Sequence, residues 1–167
     1  MILAALVALA AAAAFGTWSG VARAPGLFVL LVLMVAAGEL LPITIPHRDD
    51  VEELTTSTTF AFALVLAIGT APAVVTLAAA SLLADVAHRK VWWKAMFNLA
   101  QYSLAIGAAA LAYHALGGTE ALELSDVAPM AVAAALFFAL NYVLPGVGIA
   151  LAGGERVLKD LRRDGLL

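Results

Sequence analysis

From Thr58 to Ala87 the chain runs for 30 residues with one charged side chain, Asp85. A straight helix of that length would reach about 45 Å at 1.5 Å per residue, more than the roughly 30 Å hydrocarbon core of a bilayer. The interruption "IGTAP", Ile68 to Pro72, falls near its middle and carries the turn residues Gly and Pro. The run therefore reads as two short helices, about Thr58–Gly69 and Pro72–Ala87. Both fall below full span length, so they tilt or form a re-entrant hairpin covered by neighbours. Composition supports lipid as the solvent. The 167 residues are 64% hydrophobic and 13% charged, with mean hydropathy +1.01. Soluble domains average about 45–50% apolar and about 25% charged. The expected fold class is an all-α integral membrane protein, a bundle of about six transmembrane helices with helices three and four short.

The other spans follow from the same length rule. Ile2 to Trp18 is the first; it lacks the basic start of a signal peptide. Pro25 to Leu41 is the second, with Pro25 suited to a first helical turn. The break "PITIPHRDDVEELTTSTT" comes next. Its two prolines and the alternation of Ile43 and Ile45 make its start extended. Asp49, Asp50, Glu52 and Glu53 keep its middle in water, and Thr55 to Thr59 offer hydroxyls for an N-cap. The fifth helix runs from about Trp93 to Leu116 and stops at Gly117-Gly118. After the acidic loop "TEALELSD", the sixth runs from about Val127 to Leu144 or further, with Pro145, Gly146 and Gly148 placed to kink it. Two parts result: a membrane bundle over 1–152 and a juxtamembrane segment over 153–167.

Orientation follows from the basic residues of the short loops. With six crossings, Arg48, Arg89, Lys90, Lys94, Arg156, Lys159, Arg162 and Arg163 share one side, and Arg23 stands on the other. That side is expected to be cytoplasmic, in a bacterial inner membrane, with both termini inside. If Thr58–Ala87 were one kinked span, Arg23 and Arg48 would exchange sides and the count would not change. Charge therefore orients the C-terminal half, and the length argument favours six.

A belt of polar residues falls at similar depth near the basic end. Asn98 and Gln101 lie four and seven residues inside Lys94, three apart and so on one helical face. Glu39 ends the second helix and Asp85 the fourth, with Ser81 one turn deeper. Asn141 and Tyr142 lie near the inner end of the sixth. Polar groups at membrane depth face the bundle interior and often mark function. The plainer reading is that amides cross-link helices at about 0.6–2 kcal/mol each. Lys94 or Arg89 is placed to pair with either carboxylate. Trp92 and Trp93, beside Arg89, Lys90 and Lys94, read as an interfacial anchor. His114, with Tyr113, reads as a hydrated interfacial residue.

Several functions have no support in the residues. There are no cysteines, and His47, His88 and His114 have no metal-ligand spacing. No phosphate loop, nucleophile elbow or zincin motif occurs, so no catalytic residue, metal or cofactor is expected. A net charge of −3 gives no case for nucleic acid. The tail "GGERVLKDLRRDGLL" puts Val157, Leu158 and Leu161 on one helical face. It reads as a basic amphipathic anchor on anionic lipid or as a connector to an output domain.

Three ordered segments carry a resemblance: "GELLPITIP", "STTFAFALVLAIGTAPAV" and "SLLADVAHRKVWWKAMFNLAQYSLAIGAAALAY". Over residues 38–113 they resemble the N-terminal membrane domain of bacterial signalling proteins that continue into HD-GYP phosphodiesterase or GGDEF cyclase domains. The most specific pieces are the turn Glu39-Leu-Leu-Pro42, the pair Ala84-Asp85 and "KAMFNLAQY". The resemblance implies a sensor or anchoring input domain coupled to cyclic di-GMP turnover, with Glu39, Asp85, Asn98 and Gln101 as shared polar positions. Two other readings stay open: a small-molecule binding or transport subunit, and a ligand-free membrane anchor. The partners expected are the lipid bilayer, a small ligand in the bundle, a cytoplasmic output domain or partner subunit, and a second copy of the chain.

Overall fold

The computed structural model describes residues 6, 9, 10, 12, 13, 16–47, 50–119 and 123–153. A short helix α1 (Ser19–Arg23) leads into α2 (Pro25–Leu40). Strands β1 (Ile43–His47) and β2 (Asp50–Leu54) form a hairpin, followed by α3 (Ser57–Ala67) and α4 (Thr70–Ala87). Then come α5 (Trp92–Ala115), a 3-10 turn (Leu124–Asp126) and α6 (Val127–Gly153). The fold is a helical membrane bundle. The two-stranded antiparallel hairpin, in register Ile43 with Leu54, is a departure from the all-α expectation. The prolines and isoleucines account for its extended start; the acidic return strand has no such signal in the sequence. The acidic segment 119–126 is described only in part, and the tail 154–167 lies outside the described residues.

Among the described residues three helical segments are long and apolar enough to cross a membrane: Thr70–Ala87, Trp92–Ala115 and Leu124–Gly148. This corrects the expectation of six. Helix α2 has 16 residues and α3 has 11, which give about 24 and 16 Å of rise against a core of about 30 Å. Pro25 opens α2, and the chain leaves helix at Leu41, whose backbone Pro42 restricts. The expected span 2–18 lies mostly outside the described residues; those described at 6, 9, 10, 12 and 13 are helical.

The interruption at Ile68–Pro72 is a true turn. Gly69 has φ 127°, a conformation that L side chains rarely adopt, and it donates its N–H to the Leu64 carbonyl. Thr55, ahead of α3, and Asp85, near the end of α4, line one cavity. The two helices are therefore antiparallel neighbours and not one kinked rod.

The core mixes small and large side chains. Ala61, Ala73, Ala105, Ala109 and Ala110 are fully buried beside Leu64, Leu77, Ile106 and Phe137. Phe62 meets Phe137 edge-on at 5.3 Å. Because lipid is as apolar as leucine, such packing rests on close contact and not on escape from water. Helix α4 has 56% of its span buried within the fold and α5 50%, whereas α6 has 17%. Thus α4 and α5 form the centre, and α6 turns Phe138, Val143 and Val147 outward.

Candidate functional site

The end of the bundle that carries Arg89, Lys90 and Lys94 also gathers two buried carboxylates, Glu39 and Asp85. Glu39 is the second-last residue of α2 and is 6% exposed. Its neighbour Gly38 brings two backbones together: a Cβ there would stand 2.6 Å from the Ser57 nitrogen. That approach places the buried Ser57 hydroxyl against Glu39, to which it donates. The sequence offers Ser57 as one of several N-cap hydroxyls. Instead α3 starts after Thr56 with no side-chain cap, and the serine serves the carboxylate.

Asp85 is held by the end of its own helix. His88, Arg89 and Lys90 donate backbone N–H groups to the carbonyls of Ala84, Val86 and Asp85. This is a Schellman closure with Arg89 left-handed at φ 54°. It folds Lys90 back, so that its ammonium lies 2.7 Å from one Asp85 oxygen. Asn98 of α5 donates to the other oxygen at 2.9 Å. The cation on Asp85 is thus Lys90, not Lys94 or Arg89. Lys94 stands over the Trp93 ring at 5.5 Å.

Between these groups is a cavity of about 110 Å³ lined by Glu39, Thr55, Ser81, Asp85, Lys90 and Asn98, with Pro42, Ala84, His88 and Tyr102 completing the wall. Four of the expected belt residues, Glu39, Ser81, Asp85 and Asn98, converge here. The sequence does not single out Thr55, Ser57, His88 or Tyr102 as site residues, and it assigns Lys90 to the anchor. Tyr102 lies four residues beyond Asn98, a spacing that could have revealed it.

Gln101, Asn141 and Tyr142 lie elsewhere. Asn98 turns to α4, but Gln101 turns to α6, where its amide donates to Asn141 Oδ1 at 2.9 Å and to the Asn141 carbonyl at 3.4 Å. Pro145 stands inside α6, four residues on. It has no N–H to give that carbonyl, so Gln101 supplies a donor that the helix lacks. Tyr142 is 56% exposed. Trp92 and Trp93 are exposed at 76% and 49%, suited to an interface. Among the described residues no three His, Asp or Glu side chains are grouped to hold a metal ion.

A polar cavity between helices fits a sensing module. Residues 25–163, from the start of α2 through α6 and into the tail, match MASE9, and the chain belongs to the MASE9 family. MASE domains are membrane-associated, non-catalytic sensor domains of signalling proteins. No curated protein and no solved structure matches the chain.

Proposed function

We propose that this chain is the input domain of a bacterial signalling protein. It binds a small ligand in the cavity between α2, α4 and α5 and passes the change to a cyclic di-GMP-type output domain outside this sequence. The observation that carries the reading is the convergence of Glu39, Asp85, Lys90 and Asn98 on one polar cavity. Transmission runs through α5, which reaches the cavity with Asn98 and grips α6 with Gln101. Helix α6 leads to the tail and so to the output domain or partner subunit. A ligand shifts such a bundle only as far as it prefers one packing over the other.

In this reading the protein sits in the inner membrane, multi-pass, with the short helices α2 and α3 also embedded. The C-terminus is cytoplasmic, on the side of Arg89, Lys90 and Lys94. The outward face of α6 meets lipid or a second copy of the chain. The test has two parts. The reading frame beyond Leu167 is expected to enter a GGDEF or HD-GYP domain. In the protein that includes it, Asn98→Leu is expected to change cellular cyclic di-GMP at an unchanged membrane level. Wild-type cyclic di-GMP in that variant would remove the sensing role of the cavity.

A further inference from the structure

We infer that the cavity at Glu39 is a site for a small monovalent cation. The inference deepens the sensor reading and rests on the same cavity. The first ground is charge. Two carboxylates, Glu39 and Asp85, line the space against one ammonium, Lys90, and that ammonium is already spent on Asp85. Among the described residues Glu39 has a hydroxyl partner, Ser57, and no cation within ion-pair distance. A buried carboxylate without a counter-charge is costly, so the site draws either a proton or a cation.

The second ground is size. A cavity of about 150 Å³ suffices for benzene, so about 110 Å³ admits an alkali ion with a few waters, or methylammonium. The third is coordination. The carboxylate of Glu39 and the hydroxyls of Thr55, Ser81 and Tyr102 line the space and are hard oxygen donors suited to such an ion. A divalent ion would need more carboxylates than the one left unpaired, since Lys90 repels a second charge at Asp85.

The experiment uses the purified chain in nanodiscs of zwitterionic lipid. Thermal unfolding is followed in the chlorides of sodium, potassium, methylammonium and N-methyl-D-glucamine at equal ionic strength. A bound cation raises the midpoint by mass action. At least one small cation is expected to give a saturable rise over N-methyl-D-glucamine. The sodium and potassium arms against the methylammonium arm tell an inorganic ion from an organic one. Glu39→Gln is expected to abolish the rise. Lys90→Gln, at a half-exposed side chain, is expected to lower the half-saturating concentration about tenfold, because the cavity gains a net negative charge.

Equal midpoints in all four salts, as a protonated Glu39 would give, overturn the proposal. So does a rise that survives Glu39→Gln. If Glu39→Gln does not fold, Lys90→Gln decides, and an unchanged half-saturating concentration overturns it. The sensor reading fails separately: a cation that binds while cavity variants leave cyclic di-GMP unchanged makes the site structural. Conversely, variants that alter output in a protein indifferent to cations leave a sensor for some other ligand.

Discussion

The bundle buries carboxylates at both ends, and the two ends use them differently. At the end where α5 runs into α6, Asp126 is 1% exposed. It accepts from the Thr119 backbone at 3.2 Å, the Thr119 hydroxyl at 3.1 Å and the Glu123 backbone at 2.9 Å. Tyr113 closes the same turn by donating its hydroxyl to the Thr119 carbonyl at 2.6 Å. Thr119 and Glu123 lie seven and three residues from Asp126, and between them they occupy both of its oxygens. At the opposite end the hydrogen-bond partners are 13 and 18 residues apart in sequence, and a cavity remains among them. A carboxylate whose oxygens are filled by its own loop closes that loop. Two carboxylates from different helices, one paired with an ammonium and one with a hydroxyl, around a shared cavity make a site.

The comparison breaks most severely at Asp126. Asp126→Ala leaves two backbone N–H groups and a hydroxyl without their acceptor, and an unsatisfied buried donor costs more than a made bond gains. Its thermal midpoint is expected to fall further than that of any single variant at the opposite end. The cation response at Glu39 should survive in the folded fraction, because the two clusters share no partner. Loss of that response at temperatures where the variant is folded would show the two ends to be coupled.

Gly38→Ala comes next and strikes the other end. Its added Cβ meets backbone, the Ser57 nitrogen at 2.6 Å and the Ser57 Cα at 2.9 Å, so no side-chain rotation relieves it. Overpacking of this kind costs about 1–3 kcal/mol, and here the strain parts α2 from α3. Chemical or thermal unfolding in detergent should show the loss, together with a weaker cation response. A stable variant with a normal response would mean that the close approach is not what seats Glu39.

How much of this is legible in the sequence turns on whether partners are local. The turn at Gly69 can be read because Gly and Pro mark it within five residues. The basic end of the bundle, and the depth of Glu39, Asp85 and Asn98, can be read because helical rise converts sequence number into distance. Azimuth cannot. Whether Asn98 and Gln101 serve one helix or two depends on which neighbour lies on each side of α5, and that is tertiary information. Ser57 is hidden for a related reason: in a run of five hydroxyl residues nothing marks the one that faces α2. Lys90 is hidden because the left-handed residue that turns it back, Arg89, is not the glycine that usually announces such a closure. The equivalent end of α5 does have that glycine, Gly117 at φ 89°, and its stop is readable from the sequence. The Asp126 lock is within reach. Glu123 and Asp126 have capping-box spacing, yet the segment reads at first only as acidic.

Arg89→Gly sharpens that contrast between the two helix ends. The left-handed conformation costs an L-residue about 1–2 kcal/mol, and glycine removes the penalty while keeping the backbone closure. Because glycine also loses more entropy on folding, the expected gain is smaller, about 0.5–1 kcal/mol in unfolding experiments. The ion pair of Lys90 with Asp85 should stay intact. Protection of Lys90 from amine-reactive labelling, equal to wild type, would report that. Faster labelling would mean that the arginine side chain, and not only its backbone, holds the lysine in place.

The smallest effect belongs to Gln101, and it is best measured as a coupling. Gln101→Leu removes the donor from the Asn141 side chain and from the carbonyl that Pro145 leaves without its helical partner. Interhelical hydrogen bonds in membranes average about 0.6 kcal/mol and reach about 1.7, so the single variant should lose about that much. Pro145→Ala restores an N–H within α6 that can satisfy the Asn141 carbonyl. On that background Gln101→Leu should cost less, because only the 2.9 Å bond to Oδ1 is lost. A double-mutant cycle reads the difference directly. A coupling near zero would mean that the 3.4 Å contact to the carbonyl contributes nothing and that Gln101 is only an amide tie to Asn141. A clear coupling would make Gln101 the partner of the carbonyl that Pro145 leaves open in α6. A change at Asn98, one turn away on α5, would then reach the helix that leads out of the bundle through the proline itself.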